Sequence, residues 1–402
     1  MALKKKVGIV GGGLAGLSCG YELMKQGIEV TVLEKTNWVG GRTRSEIFEG
    51  HRINLGAVWI TPIYDEHYVG YLKEFGIEKE ELDVPVIGLN QLGLQYGDKL
   101  TKLTKFSVAF SGIFSISELI RLLGVEKFIK KQRFDQESYT PELERLHKIS
   151  AADFFRQRGF SERFVEKIVQ PFTTMCGVSD PYSISAPYGL RLIGTGFQIN
   201  KAPKSTMDIV ARGLHQRLGD RVMLGSSVNR IIQREGEFTI ELTKNGEPDE
   251  LEADILVLAV PIPVSNQLMP GLNEDFSYGG YPTVVVKGRL KPGYRKFLGV
   301  MFPKAKNSHN VFFLYTGRED PKVSYVHLYK RPYDLSPFYE SYEILQEFDW
   351  NPSSGAPRPG QVFPNLKTHI KDVYICGDFL RYPCTDSALA AGKRVAHLIS
   401  AQ

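Results

Sequence analysis

The sequence predicts an α/β fold, and the two ends of the chain supply the observations that indicate it. Near the start, residues 7–10 form a short apolar strand, residues 14–25 carry helical periodicity, and residues 29–33 form a second strand. Near the end, residues 372–378 are typical of a buried strand, and residues 386–399 predict a final helix rich in Ala and Gly. Strands that alternate with helices favour a parallel sheet.

The composition is that of an ordinary globular protein with more than one domain. The 402 residues are too many for one typical core and suit two or three domains. Hydrophobic residues make up 42% and charged residues 24%, which excludes a disordered or fibrous chain. The net charge of +5 is too small to indicate binding of nucleic acid.

Cysteine usage and the lengths of apolar runs predict a cytoplasmic protein. The four cysteines form no CxxC pair and have no zinc-ligand spacing, so we expect reduced thiols and no metal site. The first apolar stretch is only about four residues long, whereas a secretory signal needs roughly 7–15. We find no run of roughly 18 apolar residues, so the sequence predicts no transmembrane helix.

A glycine turn after the first strand predicts a dinucleotide site of the Rossmann type. Gly11, Gly13 and Gly16 follow the strand in GxGxxG spacing. Gly11 allows a tight turn, Gly13 lets the backbone approach a pyrophosphate, and Gly16 lets helix and strand pack closely. The helix N-terminus at Leu14 and Ala15 offers free N–H groups and a partial positive charge to that pyrophosphate.

Glu34 adds a second feature of such a site. It ends the second strand 18 residues after Gly16, where a carboxylate can accept hydrogen bonds from the adenosine ribose. A glycine turn alone is weak evidence, but here strand, turn, helix, strand and acid occur in the required order. We therefore expect the chain to bind a dinucleotide.

The segment that follows the second strand resembles one superfamily of flavin enzymes. Gly40, Gly41 and Arg42, with Ser45 after them, match the GGRxxS continuation of the flavin-containing amine oxidase superfamily, which includes protoporphyrinogen oxidases and phytoene desaturases. The resemblance implies that Gly41 lets the backbone pass close to the cofactor and that Arg42 lies beside its diphosphate and flavin. A guanidinium suits that task because its fork matches phosphate oxygens. The resemblance also places Lys35 among the cofactor contacts.

Residues 54–59 are similar to the D-x-G-x-x-W segment of this superfamily, whose backbone runs beside the isoalloxazine ring. Asn54 stands where the family usually has Asp, which puts in doubt any role that needs a negative charge there. The cofactor contacts that this block implies are Gly56, Ala57, Val58 and Trp59.

The end of the chain is similar to the C-terminal signature of the same superfamily. Gly377 and Asp378 close the predicted strand, and the resemblance implies that the aspartate bonds to the ribitol or phosphate of FAD. The N-terminus of the last helix, around Ser387, Ala388 and Leu389, would point at the pyrimidine side of the flavin. A helix dipole at that edge favours the negative charge of the reduced ring.

This second contact site predicts FAD rather than NAD, because an NAD enzyme has no need of a dinucleotide contact so far along the chain. Covalently flavinylated members use a cysteine before the last strand, and residues 350–365 contain none. We therefore expect FAD to be bound non-covalently.

The resemblance implies a Rossmann-type, GR2-like FAD-binding domain with an inserted substrate domain of mixed sheet and helices. The FAD-binding domain takes residues 1–85, 210–275 and 360–402, and the substrate domain takes residues 86–209 and 276–359, its helical part mainly at 100–200. Val228 matches the residue whose backbone contacts adenine. Periodicity predicts helices at 117–133, 151–158 and 161–176, and strands at 221–228, 238–242, 255–260, 282–287, 310–315 and 324–328.

Few side chains in the sequence stand out as catalytic, because a flavin accepts a hydride with little help from the protein. Amine oxidases of the superfamily usually have a lysine near flavin N5, and Lys287 ends an apolar strand in about that region. Val285 is the alternative occupant, and a lysine at a strand end is more often a solvated charge. Cys384 and Thr385 stand where amine oxidases often carry aromatic residues, which counts against an amine substrate.

Three functions remain open. The first is an FAD-dependent oxidase or dehydrogenase that takes a hydride from a bulky apolar molecule, as in protoporphyrinogen oxidases and desaturases. The second is an amine oxidase, and the third is a flavoprotein that uses FAD as a structural or redox-sensing group.

Residues 106–123 also leave two interpretations open. Their apolar side chains, beside the basic residues of 127–133, could meet the surface of an anionic membrane. The other interpretation, which we favour, is a buried core helix with a solvated basic face. The apolar residues concerned are Phe106, Val108, Phe110, Ile113, Phe114, Ile116, Leu119 and Ile120.

Overall fold

The computed structural model describes residues 5–84, 88–104, 115–132, 134, 136, 138–177, 179–234, 236–272, 275–315 and 323–402. The strands are β1 (Lys6–Val10), β2 (Glu29–Leu33), β3 (Ser45–Phe48), β4 (His51–Asn54), β5 (Leu92–Tyr96), β6 (Lys99–Lys102), β7 (Val222–Met223), β8 (Ser226–Arg234), β9 (Glu237–Lys244), β10 (Glu247–Ala253), β11 (Ile255–Leu258), β12 (Tyr281–Leu290), β13 (Gly299–Met301), β14 (Val311–Tyr315), β15 (Val323–Leu328), β16 (Tyr339–Trp350) and β17 (Val373–Ile375).

The α-helices are α1 (Leu14–Lys25), α2 (Glu66–Glu74), α3 (Glu78–Leu82), α4 (Ile116–Lys131), α5 (Pro141–Leu146), α6 (Ala151–Gln157), α7 (Glu162–Phe164), α8 (Gln170–Gly177), α9 (Ala186–Thr195), α10 (Ile209–Leu218), α11 (Ile262–Leu268), α12 (Pro292–Arg295) and α13 (Thr385–Ser400). A π-helical turn at Val165–Val169 joins α7 to α8.

A five-stranded parallel sheet brings the two ends of the chain together. Its strand order is β17-β11-β1-β2-β7; counted from the β7 edge and numbered along the chain, this is 3-2-1-4-5, the order of a doubly wound nucleotide-binding sheet. β1 and β11 are apolar and buried, as strands covered on both faces must be. All five strands come from the three segments assigned above to the FAD-binding domain.

Two helices from opposite ends of the chain pack on each other beside this sheet. α1 and α13 approach so closely that a Cβ atom on Gly392 would lie 2.3 Å from the carbonyl oxygen of Ala15. The Ser18 hydroxyl, on α1, donates a hydrogen bond of 3.0 Å to the carbonyl of Leu389. The N-terminal and C-terminal segments therefore share one core.

A second, seven-stranded sheet has the order β16-β12-β15-β14-β13-β5-β6. It is mixed, because β13 runs parallel to β5 whereas the other pairs are antiparallel. Its strands come from the two segments assigned to the substrate domain. β8, β9 and β10 form a separate antiparallel sheet, and Ile240 of this sheet packs against Gly8 of β1.

The helical segment differs from the sequence prediction in one place. The predicted helix over residues 161–176 is confirmed as a continuous helical segment, but α7 and α8 within it are joined by the π-helical turn, which the sequence did not predict. In this turn the N–H of Gln170 bonds to the carbonyl of Val165, five residues earlier. α4 and α6 lie within two residues of their predicted bounds.

α4 is only half buried. Val125 and Ile129 pack in the core, whereas Ile116, Ile120 and Leu123 form an exposed apolar face. The favoured interpretation of a buried core helix is therefore wrong for that face. None of the helices in the described part of the chain has the length and apolar run needed to cross a bilayer. Phe106, Val108, Phe110, Ile113, Phe114 and Arg133 lie outside the described residues.

Candidate functional site

A cavity of about 920 Å³ opens at the carboxyl ends of the central parallel strands. Val10, Leu33 and Ala259, which end or follow β1, β2 and β11, form its floor. Ligands of open α/β sheets bind in this position, where the strand order reverses. The predicted cofactor contacts that line the cavity are Gly11, Gly13, Leu14, Ala15, Glu34, Lys35, Gly41, Arg42, Gly56, Ala57, Val58, Trp59, Val228, Gly377, Asp378 and Ala388.

The glycine turn has the geometry that close approach of a ligand requires. Gly11 has a φ of +112°, in the region that favours glycine, and a Cβ there would lie 2.5 Å from the carbonyl oxygen of Ala259. A Cβ on Gly13 would meet no atom within 4 Å, because this residue borders the open cavity. Gly16 does not line the cavity; a Cβ there would lie 1.9 Å from the carbonyl oxygen of Gly11. Gly16 therefore serves close packing, whereas its predicted place among the cofactor contacts has no support from the lining of the cavity.

Glu34 is held in place by the turn itself. One carboxylate oxygen accepts a hydrogen bond of 2.8 Å from the N–H of Gly12. The other accepts bonds of 2.9 and 2.8 Å from the N–H and hydroxyl of Thr36. These donors fix the carboxylate at the edge of the cavity, where the sequence places the ribose. The ribose contact itself stays a prediction.

Arg42 and Asp378 form an ion pair inside the cavity. Two N–H groups of Arg42 donate to the two carboxylate oxygens at 2.8 and 2.9 Å, and a third contact goes to the carbonyl of Ser353. Burial alone would lower the pKa of Arg42, but the charge of Asp378 and the neighbouring Tyr278 leave this pKa raised. The guanidinium therefore stays charged beside the space that a diphosphate would fill.

The segment around Gly56 is fixed to the backbone of Arg42. The N–H of Ala57 donates to the carbonyl of Arg42 at 3.1 Å, and a Cβ on Gly56 would lie 2.0 Å from the same oxygen. Trp350 donates from its indole N–H to the carbonyl of Leu55 at 3.0 Å. The seven-stranded sheet thus reaches the cofactor side of the cavity through β16.

Asn54 does not face the cavity, which answers the question raised by the missing aspartate. Its side-chain oxygen accepts hydrogen bonds from the N–H of Met207 at 2.8 Å and from the hydroxyl of Ser45 at 3.0 Å. A neutral amide oxygen satisfies both donors. Asn54 therefore ties β4 to the segment before α10, and no negative charge is needed there.

The N-terminus of α13 corrects two predicted contacts. Ala388 lines the cavity, but Ser387 and Leu389 are fully buried and do not. The hydroxyl of Ser387 donates to the carbonyl of Cys384 at 2.8 Å, and its oxygen accepts the N–H of Cys384 at 3.0 Å. Ser387 is the third residue of α13, and its side chain bonds back to the backbone of the N-cap residue Cys384, as in a capping box. Cys384 and Thr385 line the cavity instead.

The seven-stranded sheet contributes an aromatic wall that the sequence did not predict. It consists of Tyr281, Phe313, His327 and Trp350, all of which line the cavity. The ring of His327 lies 4.7 Å from that of Tyr281, and its Nδ1 lies 2.9 Å from the hydroxyl oxygen of Thr283. Burial lowers the pKa of His327 to about 3, so the imidazole is neutral near pH 7.

The sequence also did not predict a buried group of ionisable residues in and beside the wall of the cavity. Asp65 lies 3.5 Å from Arg191, and both line the cavity. Burial raises the pKa of Asp65, although Arg191 opposes the shift. Burial, and then the charge of Asp65, raise the pKa of Asp386 well above its usual value. Burial likewise raises the pKa of Cys384 to about 12, so its thiol is protonated.

Lys287 does not reach the cavity. Its ammonium lies 3.2 Å from a carboxylate oxygen of Glu49, and 40% of its side chain is exposed. The prediction that it is a catalytic candidate near flavin N5 therefore has no support from its position. Val285, the alternative, is buried in the core and does not line the cavity either.

These residues fit FAD. The glycine turn leaves space for a diphosphate, Glu34 is preorganised as an acceptor, and Arg42 supplies a fixed cation from the same wall. The volume lies within the range of about 300–1,000 Å³ typical of ligand cavities. When bound there, the flavin supplies hydride-accepting chemistry, and the surrounding side chains supply placement and exclusion of water.

Comparison with curated proteins gives distant relatives of two kinds. The probable flavin-containing monoamine oxidase A of Dictyostelium discoideum is 26% identical over 279 residues, which cover 63% of this chain and 56% of that protein. Protoporphyrinogen oxidase 2, chloroplastic/mitochondrial, of Arabidopsis thaliana is 29% identical over 183 residues, which cover 45% of this chain and 34% of that protein. The matched regions thus span little more than half, or less, of these relatives.

Comparison with solved structures and with a family model agrees with this likeness. Cyclohexylamine oxidase from Brevibacterium oxydans IH-35A has the same fold, with a TM-score of 0.73 and 17% identity over 99% of each chain. The family model described as flavin containing amine oxidoreductase matches residues 14–286. The chain therefore belongs to the flavin-containing amine oxidoreductase family, whose members are FAD-dependent oxidoreductases.

Proposed function

We propose that this chain is an FAD-dependent oxidoreductase that removes a hydride from a bulky, apolar small molecule. The observation that carries the proposal is the aromatic wall of Tyr281, Phe313, His327 and Trp350. Such a wall binds rings or chains through the apolar area that it removes from water, and aromatic rings add edge and face contacts. Trp59 extends it, because its ring lies 6.4 Å from that of Phe313.

The charges of the cavity support an uncharged substrate. The carboxylates of the described lining residues all have partners: Asp65 lies near Arg191, Asp349 near Arg331, and Asp378 binds Arg42. Glu34 accepts three hydrogen bonds, as described above. An ammonium ion would therefore have to compete with these partners, whereas an apolar molecule would not.

Amine oxidation is the second candidate, and the family match favours it. The family model carries the description amine oxidoreductase, and one relative is a probable monoamine oxidase. Against it stand the exposed, paired position of Lys287 and the absence of an aromatic ring at Cys384 or Thr385.

Anaerobic reduction tests the proposal. The purified protein should be yellow, and acid precipitation should release the flavin into the supernatant, because we expect no covalent bond to it. The holoprotein is then mixed without oxygen with porphyrinogens, polyenes and amines, and the flavin absorbance near 450 nm is followed, an approximate band position that reports the redox state of the ring. Phe313→Ala, with Phe338→Ala as a matched core control away from the cavity, tests the wall.

Bleaching by an apolar compound, slowed in Phe313→Ala but not in Phe338→Ala, supports the proposal. Bleaching by amines alone overturns it in favour of an amine oxidase. Reduction by dithionite but by none of the compounds overturns it in favour of a structural or redox-sensing flavin.

A further inference from the structure

A second cavity, of about 440 Å³, lies in the domain of the seven-stranded sheet and shares no lining residue with the FAD cavity. Three separate parts of the chain form its wall. They are the β5–β6 hairpin with Tyr96 and Lys99, the segment from α7 to the π-helical turn with Arg163 and Lys167, and the loop after β13 with Lys306.

The wall of this second cavity is strongly basic. Four of its lining residues are cations, namely Lys99, Arg163, Lys167 and Lys306, and none of the described lining residues is acidic. Like charges that face one space repel each other, and the repulsion grows where water is excluded. A cleft lined by charges of one sign raises the local concentration of counter-ions, here of anions.

Lys167 is the central residue of the group. It is only 6% exposed, although lysine is almost never buried without a charged partner. Its ammonium lies 3.8 Å from the centre of the Tyr96 ring, and it has no hydrogen-bond acceptor or carboxylate partner among the described residues. Burial, followed by Arg163, Lys306 and Lys99, lowers its pKa, and only Glu166 opposes this effect. An anion in the cavity would remove this penalty.

The backbone holds these cations in fixed positions. Lys167 lies in the π-helical turn, a rare geometry that is frequent at functional sites. The N–H of Lys304 donates to the side-chain oxygen of Gln170 at 2.9 Å, which ties the loop of Lys306 to the helix. Tyr96 and Lys99 are directly paired across the hairpin. The three parts of the wall therefore form one preorganised site.

We propose that this second cavity binds a phosphate-bearing anion. Phosphate combines two negative charges with several acceptor oxygens, which match the ammonium and guanidinium donors of the wall. The cavity is larger than inorganic phosphate needs and leaves room for an organic group next to Tyr96. The phosphate can belong to a free small molecule or to a lipid headgroup, and the experiment separates these sources.

The test uses the full-length protein loaded with FAD. Inorganic phosphate is titrated by calorimetry at constant ionic strength, with chloride as the reference salt, and melting temperatures are recorded in parallel. Lys167→Met is compared with Lys330→Met, which removes the same charge from an exposed site elsewhere on the chain. Sedimentation with phosphatidylcholine vesicles, with and without phosphatidic acid, forms the second arm.

We expect phosphate to raise the melting temperature of the unsubstituted protein and of Lys330→Met. Lys167→Met should bind phosphate about tenfold more weakly or worse, because it loses a charge-assisted hydrogen bond. Should Lys167→Met fail to fold, the exposed Lys306→Met provides the same comparison.

Phosphate binding that depends on Lys167 supports the proposal and assigns a free phosphate. Sedimentation that needs both phosphatidic acid and Lys167, without binding of free phosphate, supports it and assigns a lipid headgroup. Absence of both, or equal losses in Lys167→Met and Lys330→Met, overturns it.

Discussion

Arg42 and Asp378 are joined by two hydrogen bonds of 2.8 and 2.9 Å, although 336 positions separate them in the chain. Asp378 also accepts the N–H of Gly355 at 3.1 Å. Arg42 in turn donates to the carbonyl of Ser353. This ion pair therefore links the two parts of the cavity wall that come from opposite ends of the sequence.

Breaking this pair should impair cofactor retention. In Asp378→Asn the guanidinium of Arg42 loses its anionic partner and its orientation, so we expect FAD to bind about tenfold more weakly or worse. The flavin-to-protein absorbance ratio after gel filtration, and titration of the apoprotein with FAD, measure the effect. Glu340→Gln, which disrupts an exposed ion pair with Arg295, is the control. Equal FAD affinity in Asp378→Asn and Glu340→Gln would contradict the prediction.

Substitution of two glycines of the turn by alanine should have different effects. In Gly13→Ala the added methyl group meets only the open cavity, so the protein should fold normally but lose FAD affinity. In Gly16→Ala the methyl group would collide with the carbonyl of Gly11, so the melting temperature should fall. Gly124→Ala, in an open position of α4, should stabilise the fold by up to about 1 kcal/mol. The prediction fails if Gly13→Ala retains full FAD affinity.

Lys287 should be dispensable for flavin chemistry. Its exposed ion pair with Glu49 is worth at most about 1 kcal/mol, and its ammonium lies outside the cavity. The flavin of Lys287→Met should therefore be reduced by the bleaching compound at nearly the rate seen in the unsubstituted protein, measured by stopped-flow. Glu49→Gln, which breaks the same pair, should behave alike. A loss of rate seen only in Lys287→Met would place this lysine in the chemistry after all.

His327 should make the protein sensitive to acid. In the folded protein its pKa is about 3, below the ordinary value of 6.5. At a pH between these two values, the imidazole is protonated in the unfolded chain but not in the folded chain. Its contribution to the free energy of unfolding therefore falls as the pH decreases from 6.5, by up to about 1.4 kcal/mol per pH unit.

Urea denaturation at pH 7 and pH 5 tests this sign. His327→Gln should lose less stability between the two pH values than the unsubstituted protein loses. Tyr281→Phe, which changes the neighbouring ring without adding or removing a group that titrates in acid, should keep the original difference. A pH difference unchanged in His327→Gln would show that the imidazole is not desolvated.

The exposed face of α4 should bind an anionic membrane surface. Ile116, Ile120 and Leu123 form one apolar stripe, and Lys127 follows on the same face one turn later. Replacing the three apolar residues by serine should reduce retention on phosphatidylserine vesicles by about tenfold or more. Ile47→Ser with Ile63→Ser, at exposed positions elsewhere, is the control. Equal retention of both variants would contradict the prediction.

The sequence predicted the structure correctly where neighbouring residues alone determine it. α1 and β2 have the predicted bounds, because strand, glycine turn and helix are encoded by neighbouring residues. β16 escaped detection because it is a largely exposed edge strand with four acidic residues, so it lacks the apolar run of a buried strand. The π-helical turn escaped it because helical periodicity does not distinguish five-residue from four-residue hydrogen bonding over so short a stretch.

The sequence did not predict site contacts that depend on which face of a helix a residue occupies, or on residues that lie far away in the chain. Ser387 and Leu389 flank Ala388, but consecutive residues of a helix point about 100° apart, so only Ala388 faces the cavity. Arg191 meets Asp65 through packing of α9 against a distant loop, which one sequence cannot reveal. The aromatic wall is likewise assembled from separate strands.

The order in which the segments are synthesised has a consequence for maturation. β17 and α13 complete the parallel sheet and the predicted cofactor site. Both are synthesised last, after the strands of the aromatic wall and the other helices. A nascent chain that has not reached residue 373 lacks Gly377, Asp378 and Ala388, three of the predicted cofactor contacts that line the cavity. We therefore expect FAD to bind only after translation is complete. FAD would then stabilise only those chains that already contain α13.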